Sequence, residues 1–161
     1  MNFGIFIYMS QYKESLEILK RYASEEGYNV DLEYEGISYV KFLKDTLNGP
    51  KHIKIESGSD DEIRIYYFLH ELGHHELRKD WDKFAEILPI SAEAESEQLA
   101  TKNGKYLRRV AYYVSSLEEE FMAWAEGLRV AKELNIPINM VNWLKLKTKC
   151  LKLYINYYAN K

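Results

Sequence analysis

Asp60-Asp61-Glu62-Ile63-Arg64-Ile65-Tyr66-Tyr67-Phe68-Leu69-His70-Glu71-Leu72-Gly73-His74-His75-Glu76-Leu77-Arg78-Lys79 is the stretch whose reading decides the fold. Ser59 with Glu62 three residues on reads as a capping box, and Asp60 and Asp61 fall in a first turn, where the helix dipole favours anions. The spacing predicts a helix over about 60–79. Ile63, Tyr67 and Leu77 share a face with His70 and His74, so the histidine row continues an apolar stripe and faces inward.

Residues four apart on a helix lie one above the other, with β-carbons about 5–6 Å apart. The imidazoles of His70 and His74 can then each give one nitrogen to a tetrahedral zinc at about 2.0–2.1 Å. Glu71 follows the first of them and points beside the metal. A carboxylate there can take a proton from zinc-bound water and later hand it to a leaving amine. Gly73 costs such a helix about 1 kcal/mol against alanine. It also leaves room for another backbone or a substrate to approach. His-Glu-x-x-His strings arise by accident too; the cap and the inward face argue against that here.

A catalytic zinc usually has three protein ligands and one open position. A metzincin would place a third histidine at position 80 and a glycine at 77, which are Asp80 and Leu77. His75 lies about 100° round the helix from His74, and His52 falls on an expected strand. A later carboxylate is the better candidate. In Leu117-Glu118-Glu119-Glu120-Phe121-Met122-Ala123-Trp124, Glu120 falls among Leu117, Ala123 and Trp124, on the core side. A carboxylate buried there is costly unless paired or metal-bound. Glu118 flanks that face and Glu119 lies further toward solvent. Glu120 is therefore the expected third ligand, with Glu119 next, since adjacent positions cannot be separated without the helix phase.

Outward from this centre, residues 1–9 read as a short strand or packed leader, and Ser10 as the cap of a helix to about Glu26, stopped by Gly27. Val30, Leu32 and Tyr34 alternate with Asp31, Glu33 and Glu35, as a half-buried strand should. Ile37–Leu43 reads as a second strand, Asn48-Gly49-Pro50 as a break, and His52–Glu56 as a third strand. After an irregular stretch through Pro89, a polar helix is expected over Ser91–Asn103 and an interruption at Gly104. A long helix follows from Lys105 to about Leu134, with a possible break at Ser115-Ser116 and an end at Pro137. The last helix, about Ile138–Tyr158, carries two apolar rows, Val141, Leu144, Leu151, Ile155 and Trp143, Leu146, Cys150, Leu153, Tyr157. Two rows imply packing on two sides, with Lys145, Lys149 and Lys152 in solvent. The fold class is α+β: one unit over 1–161, a small, mainly antiparallel sheet on a helical set. The strand at about 52–56 is expected to edge the cleft.

The 161 residues suit one domain, and 47% apolar residues suffice for a core. A formal charge of -3 gives no reason to expect binding to nucleic acid or a polybasic membrane contact. Cys150 is alone, so no internal disulfide exists. The start lacks the basic leader of a secretion signal, and no apolar run approaches the roughly 20 residues of a bilayer span. These features point to a soluble cytoplasmic protein. Cys150 sits in an apolar row and reads as a buried small hydrophobe. Tyr66, Tyr67, Tyr112 and Tyr113 are candidates for oxyanion donors, against the simpler reading of rings at the core boundary.

Ile53-Lys54-Ile55 followed by the His70-Glu71-Leu72-Gly73-His74 helix resembles the strand and active-site helix of zincin metallopeptidases. Within these it is most similar to the ImmA/IrrE-type group of bacteria, mobile elements and phages. Glu120-Phe121-Met122-Ala123 fits the glutamate-x-x-alanine part of that group's downstream motif; Trp124 stands where asparagine is often found. The resemblance covers roughly residues 52–128. It implies a zincin-like fold and a zinc-dependent peptidase, often acting on a regulatory protein, with a peptide or protein as substrate. A zinc-containing binding or regulatory module without activity is the alternative.

Overall fold

The computed structural model describes residues 3–41, 51–100 and 110–160. Among these the chain is α+β, with six helices and a three-stranded mixed sheet. The order is α1 (Phe3–Glu25), β1 (Tyr28–Tyr34), β2 (Tyr39–Lys41), β3 (Lys51–Glu56), α2 (Asp61–Lys79), α3 (Trp81–Ile87), α4 (Pro89–Ala100), α5 (Val110–Glu133) and α6 (Met140–Ala159). No helix of the described residues is long and apolar enough to cross a membrane.

Helix α1 begins seven residues earlier than the Ser10 cap expected from the sequence, which makes Ser10 an interior residue. A short, unbroken apolar run carries no period to separate strand from helix. Gly27 ends the helix as expected, with φ +83°, a conformation that costs glycine little. In β1 the alternation holds: Val30, Leu32 and Tyr34 are half-buried and Asp31 and Glu33 exposed.

The sheet departs from expectation. β3 lies in the middle, parallel to β1 and antiparallel to β2. It is mixed rather than mainly antiparallel, and β3 is no edge strand. Ile53 and Ile55 are completely buried, which suits a central position. Among the described residues β1 and β2, the latter at Tyr39–Lys41, are the edges instead. Alternation tells which face of a strand is covered but not which strands flank it. The far end of the expected second strand, the Asn48-Gly49-Pro50 break, and the chain from Thr101 through Gly104 and Lys105 lie outside the described residues.

Helix α2 forms at the expected place, capped by Asp60, whose carboxylate accepts from Ile63 N at 3.0 Å. Ser59 bonds to Glu56 instead, and Glu62 accepts from Tyr66 Oη at 2.7 Å and Asn142 Nδ2 at 3.0 Å, so the capping box does not form. Asp80 then caps a short α3 by accepting from Lys83 N. α5 runs unbroken through Ser115-Ser116, where Ser115 Oγ meets Ser91 Oγ of α4 at 2.8 Å in a buried contact. It ends ahead of Pro137, with Asn135 at φ 55°.

The main core joins Leu16, Leu19 and Ala23 of α1, Ile53 and Ile55 of β3, Ile65, Phe68, Leu69 and Leu72 of α2, Trp124 and Val130 of α5, and Trp143 and Leu146 of α6. From Phe68 to His75 every residue of α2 is buried, so this helix is enclosed on all sides and not merely on one stripe. Of the two apolar rows of α6, that of Trp143, Leu146 and Cys150 reaches the core. Val141, Leu144 and Ile155 of the other row are exposed, so packing on two sides is not found. Lys145, Lys149 and Lys152 are in solvent.

Candidate metal centre

The centre is built where α2 crosses α5. Gly73 and Gly127 make the crossing close: a β-carbon on Gly73 would overlap the carbonyl of Ala123, and one on Gly127 the carbonyl of Leu69. Main chain thus rests on main chain, and Glu120, one turn before Ala123, is brought onto the histidine face of α2.

His70 Nε2 lies 3.1 Å from Glu120 Oε2, and His74 Nε2 lies 3.5 Å from Glu120 Oε1. One ligand atom from each of the three residues falls within 4.8 Å of the others. Ligands at about 2.0–2.1 Å from a tetrahedral zinc stand roughly 3.3 Å apart, a separation that these two distances bracket. Among the described residues Glu120 Oε2 is buried with no partner beyond its 3.1 Å approach to His70 Nε2. A buried carboxylate oxygen so left is costly, and a cation would satisfy it. The donor set of two imidazoles and a carboxylate fits zinc.

The two imidazoles are held differently. His74 Nδ1 is 3.0 Å from Glu119 Oε1, and Glu119 is fixed in turn by Arg78 Nη2 at 2.7 Å. Glu119 therefore grips the far nitrogen of His74 and leaves Nε2 to face the centre. His70 instead lies flat on Trp124, with ring centroids 4.5 Å apart and planes 20° apart; among the described residues its Nδ1 is buried without a hydrogen-bond partner. Trp124 is itself wedged edge-on against Trp143 at 4.9 Å. The residue at the position where asparagine was expected thus sets the ring plane of His70 by stacking.

Burial acts against charge throughout the cluster. It pulls the His74 imidazole down, but the charge of Glu120 and hydrogen bonds to Glu119 and Glu120 outweigh it and push it up to about 10. Burial raises the carboxyls of Glu120 and Glu119, yet His74 together with His70 or Arg78 brings both below the ordinary range. Glu71 goes the other way. Burial lifts it, and the nearby histidine charges and a backbone hydrogen bond from Val40 only partly offset that.

The described residues thus bring together His70, Glu71, His74 and Glu120, the four expected from the sequence. Glu119 is as enclosed as Glu120, with side-chain exposures of 13% and 12%; it does not lie toward solvent, and it holds His74 from outside the centre. Glu118 is the exposed member of the run. His75 is engaged elsewhere, 2.9 Å from Tyr28 Oη and 3.0 Å from Glu26.

No family model matches this chain. Neither a curated protein nor a solved structure matches it significantly.

Two contributors were missed in the sequence. Val40 reaches Glu71 from the edge strand, and no local pattern signals that. Tyr154 of α6 stands over the centre, where burial and then the charge and hydrogen bond of Glu120 raise its hydroxyl far above the usual phenol value. Its spacing of four from Cys150 and from Tyr158 was the available signal. Of the tyrosines singled out, Tyr66 spends its hydroxyl on Glu62 and Asn139, whereas Tyr67 lines a cavity that also borders His70 and Glu71.

Proposed function

We propose that this chain is a zinc-dependent metallopeptidase of zincin-like architecture, most similar to the ImmA/IrrE-type group. His70, His74 and Glu120 hold the ion, and Glu71 is the general base. The observation that carries the reading is the convergence of one ligand atom each from buried His70 and His74 and largely enclosed Glu120 within 4.8 Å, beside the buried side chain of Glu71.

Zinc held there would polarise the scissile carbonyl and lower the pKa of water. Glu71 takes the proton of the attacking water and passes it to the leaving amine. Its raised carboxyl suits a group that must both accept and release a proton. Glu119, held by Arg78, keeps His74 in the tautomer with Nε2 free for metal, the arrangement in which a second carboxylate orients a zinc-bound histidine.

The edge of β2 offers a place for the substrate. Among the described residues no strand covers its outer side, and the Val40 backbone on that strand faces Glu71. An extended peptide added there as a further strand would run past the centre, held by its main chain. The substrate class is accordingly a peptide or an extended segment of a protein, and the lone Cys150 suits a cytoplasmic setting.

The test is metal content and cleavage measured together. Purified protein should carry about one zinc per chain, and His70→Ala, His74→Ala and Glu120→Ala should lose it. Glu71→Gln should keep zinc and lose cleavage of an unstructured protein substrate by at least 100-fold, at the lower end of about 10²–10⁴ for general-base catalysis. Absence of stoichiometric zinc removes the reading; a Glu71→Gln protein that cleaves as well as the parent turns it into a zinc-containing module without catalysis.

A further inference from the structure

Helix α4 reads in the sequence as a polar helix, yet it turns one carboxylate inward. Glu93 is exposed, whereas the side chain of Glu95 is only 15% exposed. The seating of α4 explains the difference. Ala92 and Ala94 are buried, and Ala92 packs with Phe84 and Leu88 in a second, smaller core. Ser91 meets Ser115 of α5, and Glu95, four residues on, shares the face of Ser91. There Glu95 meets Arg78 of α2.

Arg78 is gripped on several sides. Its Nε donates to Glu95 Oε2 at 3.1 Å, its Nη2 reaches Glu119 Oε1 at 2.7 Å, and its Nη1 donates to the His74 carbonyl at 3.3 Å. Its guanidinium lies over the Phe84 ring, 4.5 Å from the centroid, where the ring face attracts a cation. The Glu119 oxygen that takes Arg78 is the one that holds His74 Nδ1 at 3.0 Å. Glu95, Arg78, Glu119 and His74 thus form one continuous chain from α4 to the metal centre. Its members are largely enclosed, so water screens it far less than a surface ion pair.

One cation stands between two carboxylates in this chain. Arg78 bound to Glu119 alone would neutralise it and weaken it as an acceptor for the Nδ1–H of His74. With Glu95 sharing the guanidinium, Glu119 keeps more of its negative charge. A stronger acceptor at Nδ1 makes Nε2 a better metal ligand. Glu95 also fixes the plane of the guanidinium fork, so that Nη2 meets Glu119. Burial works against the Arg78 charge, but the charges of Glu119 and Glu95 outweigh it and raise the guanidinium above its usual value.

We infer that Glu95 is a positioning residue of the metal centre: through Arg78 and Glu119 it orients His74 and raises the affinity of the site for zinc. The inference rests on the metal site of the peptidase reading and is tested without cleavage. It gives the small core of α3 and α4 a purpose, since that core holds Glu95 and Phe84 against Arg78.

The experiment measures zinc affinity, by competition with a chromophoric chelator, for the parent chain, Glu95→Gln, Glu119→Ala and the double variant. Glu95→Gln keeps the shape of the side chain and loses its charge. It should weaken zinc by about three- to tenfold, below the about 10–100-fold of a direct histidine partner. In the Glu119→Ala background the same change should alter affinity by less than about twofold, because its route to His74 is gone. A role confined to packing, or the bare charge of Glu95 felt through space, would cost the same in both backgrounds. Cobalt-loaded proteins give a second readout: Glu95→Gln should shift the visible absorption bands of the parent and leave those of Glu119→Ala in place. Glu95→Asp, with the charge on a shorter stem, is the second variant; it should fall between the parent and Glu95→Gln, and be silent without Glu119. Parent-like zinc affinity in Glu95→Gln, or an equal loss with and without Glu119, would overturn the inference. The expected pattern in a protein that cleaves nothing would sink the peptidase reading and leave the role of Glu95 standing; zinc binding and cleavage without the pattern sink the role of Glu95 alone.

Discussion

Gly73 of α2 and Gly127 of α5 meet at the helix crossing, where a β-carbon on Gly73 would stand 3.0 Å from Gly127 N and overlap the carbonyl of Ala123. Two effects of opposite sign compete when either is replaced by alanine. Helix propensity favours alanine by about 1 kcal/mol. Overpacking against rigid main chain costs about 1–3 kcal/mol, and here the helices themselves must part. The second should win. Gly73→Ala and Gly127→Ala are each expected to lower stability by about 1–2 kcal/mol in urea titrations and to weaken zinc binding, because Glu120 moves away with α5. Unchanged midpoints and metal affinity in both would show that the crossing is looser than described.

Glu119 and Glu120 should separate cleanly by their effect on metal. Glu120→Ala removes a ligand and should abolish stoichiometric zinc. Glu119→Ala removes the partner of His74 Nδ1 and should weaken zinc by about 10–100-fold, the usual cost of losing an outer partner of a histidine ligand. Competition with a chromophoric chelator measures both. Equal losses would mean that Glu119 contacts the ion itself.

In the metal-free protein, His74 is raised from 6.5 to about 10. A raised histidine stabilises the fold while protonated. That contribution is whole below pH 6.5 and fades as pH climbs toward about 10. Zinc needs the neutral ring, so binding near neutral pH expels the His74 proton, and affinity should rise with pH across this window. Calorimetry in two buffers of different ionisation enthalpy should report about one proton released per zinc. An enthalpy independent of buffer would show that His74 is already neutral.

Asp60, not Ser59, carries the cap of α2. Asp60→Ala should cost about 1 kcal/mol, typical of a lost N-cap, and Ser59→Ala distinctly less. Comparable losses in denaturant titrations would restore the capping box expected from the sequence.

The legible parts of this chain are those where a local pattern and its physical cause coincide. Helix α2 announces itself by acidic residues in its first turn and by a row of side chains at helical spacing. His70 and His74 therefore fall on one face whatever else the chain does. Helix α3 is illegible for the opposite reason. At seven residues it is too short for a period, and Asp80 ends one helix while capping the next. Strand alternation revealed β1 and β3 but not that β3 is central, since neighbours are chosen by distant packing. The division of labour between Glu119 and Glu120 was out of reach. Neighbouring positions differ by about 100° of helix phase, and both carboxylates are largely enclosed here because Arg78 neutralises one and the histidines the other.

Because α2 and α5 touch through bare backbone at Gly73 and Gly127, the spacing between them has no side chain to act as a cushion. Most helix pairs absorb a small substitution by swinging a flexible group aside; this pair has nothing to swing. Any displacement of α5 along α2 passes undamped to Glu120, so the fold measures the gap between its carboxylate and its imidazoles with the stiffest ruler a polypeptide offers.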